Sequence, residues 1–271
     1  MNKKYKLDRE DNITHCFKKL YRIIALKNIG IIAKAGDKGG YVESEKNLSQ
    51  EGDAWIFDDA KVHGSARVYD NAKVYEDAEV YCDAKVFENA IVFGNAKIYE
   101  NANIFSNARV FGAAQVYGCA RVREYARVHN RAKIFDNAHV YGDAEVYGDA
   151  WIFNNAKVFG NAKISGKAQA FGNAEILGYT EISGNAKLIG DAKVCRNADY
   201  FCVQSFGSIG RTTTFFRTEN NWRVVCGCFS GTIEEFRKKV KETHGDSLIA
   251  QEYLMVADLM EFRIKRRNNE S

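Results

Sequence analysis

Ala72-Lys73-Val74-Tyr75-Glu76-Asp77 and Ala144-Glu145-Val146-Tyr147-Gly148-Asp149 are two copies of one six-residue unit, and that unit decides the fold. Every sixth residue from Ala54 to Ala198 is alanine except Thr180. Two positions later stands Val, Ile or Leu, except at Ala170 and Tyr200. A period of six held over about 150 residues marks a solenoid, in which each unit buries its apolar face only by stacking on its neighbours. Side chains alternate along a strand, so Ala72 and Val74 face inward, Lys73 and Tyr75 face outward, and Glu76-Asp77 turns the corner. Glycine often takes the first corner position, as at Gly94, Gly112 and Gly142, where a positive φ is useful. Three such sides close a triangular coil of about 18 residues, and roughly nine coils at ~4.8 Å spacing make a prism on the order of 43 Å tall. Each buried Val or Ile contributes roughly 1.5–3 kcal/mol, so this column suffices as a core without disulfides.

The 271 residues carry a net charge of +4, unevenly spread. Residues 1–37 hold 9 basic and 4 acidic side chains, residues 38–198 hold 19 and 21, and residues 199–271 hold 11 and 10. That balance is too mild for a duplex nucleic-acid binder and not acidic enough for a DNA mimic. Seven irregularly spaced cysteines read as free thiols in a reducing compartment. Proline is absent, in keeping with a continuous parallel ladder in which each proline would delete a backbone donor. No apolar run follows the basic start and none approaches the length of a membrane span, so a cytoplasmic protein without membrane contact is expected.

Three parts follow. Residues 1–37 are non-repetitive and read as an N-terminal cap, with a strand over Leu20–Leu26 and a turn at Ala35–Gly40 leading into Tyr41-Val42. Val42 and Leu48 stand 12 and 6 residues before Ala54, so they read as the first members of the small-residue column in a β-helix over 38–201. Residues 202–271 form a small C-terminal α+β unit, read as ββαα. Thr212–Arg217 and Trp222–Cys226 flank the turn Thr218–Asn221. Thr232 with Glu235 is a capping box for a helix whose Ile233, Phe236 and Val240 share one face. Asp246 is the expected cap of a second helix, with Leu248, Tyr253, Leu254, Val256 and Leu259 as its apolar side.

Val62-His63-Gly64-Ser65-Ala66-Arg67 resembles the hexapeptide repeat of left-handed β-helix proteins, over some 160 residues. The left hand is implied by that resemblance, since ordinary parallel crossovers are right-handed. The whole chain is also similar to uncharacterised phage and prophage hexapeptide-repeat proteins, in Leu20–Ile23, Lys34–Gly40 and Glu43–Leu48, and in the tail at Gly227–Phe236 and Glu242–Asp246. This resemblance implies a phage origin and supplies no activity. Hexapeptide proteins include acyltransferases with a histidine base, but fold does not fix function, and no loop interrupts the coil from 54 to 198. His63 and His129 take the outward aromatic position and His139 the outward lysine position, as surface members of a ladder. A zinc site of the carbonic-anhydrase kind is not expected, because the 18-residue frame puts His129 and His139 on different sides. Cys226-Gly227-Cys228 lacks zinc spacing and reads as two thiols packed on one side of a strand. Gly207-Ser208-Ile209-Gly210-Arg211-Thr212 lacks Walker spacing and reads as a linker leaving the last coil.

The outward face is more distinctive. Sorting by 18 puts Tyr81, Tyr99, Tyr117, Phe135, Phe153 and Phe171 in one vertical stack beside Lys61, Lys97, Lys133, Trp151 and Lys187. Rings beside cations suit single-stranded nucleic acid or sugars; the plainer reading is a self-supporting ladder shielded by lysine stems. The candidate binding residues are therefore Tyr81, Tyr99, Tyr117, Phe135, Phe153, Lys97, Lys133 and Trp151 on the ridge, with Arg211 and Trp222 in the tail. The expected function is a non-enzymatic, phage-encoded binding or scaffold protein that engages a host protein or ribonucleoprotein in the host cytoplasm, and that blocks a host defence system. Self-association as a dimer or trimer is expected, and nucleic acid is a further candidate partner. No catalytic residue, metal or cofactor is assigned. The alternatives are a hexapeptide-type acyltransferase and a virion or tail component that binds polysaccharide.

Overall fold

The alternation of Ala and Val inward with charged and aromatic residues outward produces 24 two-residue strands, β4 (Trp55–Ile56) through β27 (Lys193–Val194), joined by corners. The computed structural model describes residues 3–207 and 209–269. Register fixes the coil size: Lys61 pairs with Glu79, Val92 with Val110 and Lys157 with Glu175, all parallel and 18 residues apart. The three sides therefore become three parallel sheets, and the solenoid has about nine turns. The inward Ala and Val, Ile or Leu side chains are almost without exception fully buried and form one continuous core. Thr180 replaces alanine in the buried column by donating its hydroxyl to the Leu177 carbonyl at 2.6 Å.

The corners carry a device beyond glycine's freedom. Asp58, Asp70, Glu100, Glu124 and Asp136 hold left-handed φ of 50–62° although none is glycine. Each carboxylate accepts the backbone N–H of the residue 18 positions on, as in Gly118 N to Glu100 Oε2 at 2.8 Å and Gly142 N to Glu124 Oε2 at 2.9 Å. A charge-assisted bond to an N–H of the next coil offsets the cost of the left-handed backbone.

At the N-terminus, β1 (Tyr5–His15) and β2 (Lys18–Ala25) make an antiparallel hairpin, and β2 pairs antiparallel with β3 (Lys38–Val42). The expected strand at 20–26 is present, and the cap extends one face of the prism as sheet. Lys38, Gly39 and Gly40 belong to β3 rather than to a turn; a Cβ on Gly40 would lie 2.5 Å from the Ala60 carbonyl oxygen. Val42 pairs with Val62, and Leu48 bridges Val68, so both sit in the Val/Ile column rather than the alanine column. The first coil is thus 20 residues around, with the extra two before Ile56. There Gly52 turns at φ +66, with a Cβ excluded by the Asp70 carbonyl oxygen at 2.3 Å. The buried Lys4 ties this widened corner down by donating to the carbonyls of Glu51, Gly52 and Ala54, the last at 3.0 Å. Burial lowers its pKa to about 8.

The C-terminal unit has twice the expected strands: β28 (Tyr200–Phe206), β29 (Arg211–Arg217), β30 (Trp222–Cys226) and β31 (Phe229–Thr232) form one antiparallel sheet, followed by α1 (Ile233–His244) and α2 (Leu248–Asn269). The segment read as a linker at 207–212 is the turn between β28 and β29 together with the start of β29; its Ser208 lies outside the described residues. Gly227, at φ +60, is the turn between β30 and β31, so Cys226 is buried while Cys228 is exposed. The capping box of Thr232 and Glu235 is present. Ser247, not Asp246, caps α2, accepting Ala250 N at 3.2 Å. That helix buries Ala250, Tyr253, Ala257 and Met260 and leaves Leu248 and Leu259 exposed. Phe216 and Val225 join the solenoid core, so one face of this sheet closes the last coil. Among the described residues no helix is long and apolar enough to cross a membrane.

Candidate functional site

The 18-residue register superposes outward residues, and on the face that begins with β3 it makes the longest ladder. His63, Tyr81, Tyr99, Tyr117, Phe135, Phe153 and Phe171 stack with ring centroids 4.6–5.2 Å apart and planes within 14°. Offset stacking at this spacing stabilises each ring pair by roughly 0.5–1.5 kcal/mol beyond burial. The ring faces are thereby covered by neighbours, and only edges and hydroxyls meet solvent. Burial, then the Glu79 carboxylate, pushes the Tyr81 hydroxyl up to about 12. Burial, then the flanking hydroxyls of Tyr117 and Tyr81, raises Tyr99 as well.

Trp151 departs from the ladder. It is 39% exposed, meets Phe135 edge-on at 6.4 Å, and carries the Lys133 ammonium 5.3 Å from its ring centroid. Trp151 and Lys133 line a groove of about 540 Å³ with Gln115, Gln169 and the Arg131–Asp149 pair, which is bidentate at 2.7 and 2.9 Å. The structure thus brings Lys133, Trp151 and Phe135 together. Lys97 lies further up the same face, 3.6 Å from Glu79.

The tail candidates part company. Arg211 starts β29 and lines a hollow of about 260 Å³ with Cys226, Phe236, His244 and Tyr253. Trp222 pairs with Arg217 at the far end of that strand. It lines a cleft of about 510 Å³ with Arg196, Arg217, Glu219, Ile264 and Arg267. An adjoining hollow adds Arg263 and Arg266. Asp199 is the anion that two of these guanidinium groups share: it is buried, and its Oδ1 lies 2.6 Å from Arg267 Nη2 and 3.8 Å from Arg217 Nη1. The sequence singled out Trp222, but neither periodicity nor spacing could show that Arg196, Arg217 and Arg267 meet it.

The remaining histidines are distributed around the prism. His129 is sandwiched between Phe111 and Tyr147 with Nε2 3.1 Å from Glu145 Oε1. His139 stands in β18 (His139–Val140), on a different sheet from His129, as the frame required; burial, then Arg121, lowers its pKa. His63 heads the long ladder and is buried beneath His15 of the N-terminal hairpin, a contact that sequence reasoning missed because the hairpin lies outside the repeat.

No known family model matches this chain, and neither does any curated protein.

Proposed function

We propose that this chain is a non-enzymatic binding scaffold whose C-terminal unit engages an anionic stretch of a host ribonucleoprotein. The observation that carries the reading is the cleft around Trp222, where an aromatic ring stands among Arg196, Arg217 and Arg267, with Arg263 and Arg266 beside it. A ring beside several guanidinium groups suits an unpaired base flanked by phosphates. The coil contributes rigidity: a continuous buried column and backbone bonds from coil to coil hold the cleft on a stiff rod. The resemblance to phage hexapeptide proteins adds the finer reading of a phage-encoded inhibitor of a host defence complex.

The test is binding of a fluorescent single-stranded RNA to the full chain, followed by anisotropy across a salt series. Micromolar or tighter binding that weakens as salt rises, and about tenfold or more on Trp222→Ala with Arg217→Glu, supports the reading. Lys133→Glu with Trp151→Ala should leave it unchanged. Loss on the ridge variant alone moves recognition to the ladder face. Acyl-CoA turnover abolished by a histidine substitution would favour the acyltransferase instead.

A further inference from the structure

Where the hairpin meets the long ladder, His15, His63 and Glu79 converge, each offering one ligand atom within 4.8 Å of the other two. His15 ends β1 just before the left-handed turn Cys16-Phe17, whose φ values are 47 and 61°. That turn swings the imidazole over the top of the ladder, where it meets His63 at 5.5 Å between centroids and 68° between planes. Glu79, on β8 (Glu79–Val80), comes up from the coil below, with Oε2 3.4 Å from His15 Nε2.

Two features set this cluster apart from a surface ion pair. His63 is only 6% exposed, yet its Nε2, like that of His15, is buried without a hydrogen-bond partner. A buried imidazole nitrogen with no partner is costly, and proteins ordinarily satisfy it. Second, His63 interrupts nothing as a ring: it stacks on Tyr81 at 5.2 Å and 5°, so a phenylalanine or tyrosine would fill the column equally well. The position gains a ring nitrogen that the ladder does not use.

We propose that His15, His63 and Glu79 form a divalent metal site of the zinc class that fastens the N-terminal hairpin to the coil. Two imidazoles and one carboxylate are a zinc ligand set that leaves a fourth position for water. Ligand atoms around tetrahedral zinc lie roughly 3.3 Å apart, as follows from metal–ligand bonds of about 2.0–2.1 Å. The His15–Glu79 separation already matches, and the third ligand atom, within 4.8 Å of both, needs a shift of about 1.5 Å at most to join them. Glu43 supports the arrangement from outside: its carboxylate accepts Gly64 N at 2.7 Å and Lys18 Nζ at 2.7 Å, which holds the two chain segments bearing the histidines side by side.

The experiment uses the full chain stripped of metal by chelator and dialysis. Titration with zinc, and with cobalt(II) as a spectroscopic probe, should give one site per chain and the visible absorption of a four-coordinate cobalt centre. His15→Ala and Glu79→Gln should each weaken binding by about tenfold or more, and His63→Phe should do the same while keeping the ring column and the metal-free melting temperature. Metal binding should raise the melting temperature of the parent chain and leave that of the His63→Phe variant in place. Absence of binding, or one-site binding that survives His63→Phe, overturns the proposal.

Discussion

Asn47 and Asp199 occupy matching turns at opposite ends of the coil, but the two ends are closed by different physics. Both are the third residue of a short 3-10 turn, preceded by an extended residue at φ −155 and −154°. Both use a side-chain oxygen to accept the N–H of that residue, Ser44 at 2.8 Å and Arg196 at 3.1 Å. Asn47 then spends its amide N–H groups on the carbonyls of Gly64 and Ala66, at 3.0 and 2.9 Å, so the coil satisfies it internally. Asp199 has no protons to give and carries a charge, which Arg267 of α2 meets from 68 residues further along the chain. One end is therefore finished by its own first coil and a sheet-forming hairpin. The other depends on a folded unit with a second core of its own.

Exchanging the two side chains breaks this comparison most directly. Asn47→Asp would turn a carboxylate toward two carbonyl oxygens in a buried position and should cost about 3 kcal/mol or more, read as a fall in the urea midpoint. Asp199→Asn keeps the turn but removes the charge facing Arg267, and should cost roughly 2–3 kcal/mol. Its loss should fall on the C-terminal unit, seen as faster amide exchange in α2 with the central coils still protected. Equal loosening throughout would show that the two ends are coupled through the column.

The middle of the coil gives the smallest effect. Tyr99 has its hydroxyl pKa raised, first by burial and then by Tyr117 and Tyr81. Its contribution is complete below the ordinary tyrosine value of about 10 and is lost as pH climbs from there toward the raised folded value. The melting temperature should fall between about pH 10 and 12, and Tyr99→Phe should make that fall shallower. An unchanged slope would place the alkaline sensitivity at the ends instead.

Much of the coil was legible because its logic is local and repeated. Ala72 and Val74 state their burial by position, and Tyr81, Tyr99 and Tyr117 state their stacking by a separation of 18. The misreadings fall where repetition stops. Val42 and Leu48 looked like alanine-column residues because the two-residue widening at Gly52 carries no periodic mark. Gly39 and Gly40 looked like a turn because close backbone approach and positive φ both select glycine. β31 was missed because Phe229–Thr232 is short and glycine-containing, and its only strand neighbour is β30.

By itself the sequence determined the three-sided parallel coil, its 18-residue step and the identity of the inward and outward columns. A six-residue alternation can bury its small and branched side chains only by stacking on itself. Tertiary structure alone decided what lies at the two ends: the meeting of His15 with His63 and Glu79, and the gathering of Arg196, Arg217 and Arg267 around Asp199 and Trp222. Those groups come from segments with no common period, and only the packing of hairpin and helices onto the open coils gives them a shared position.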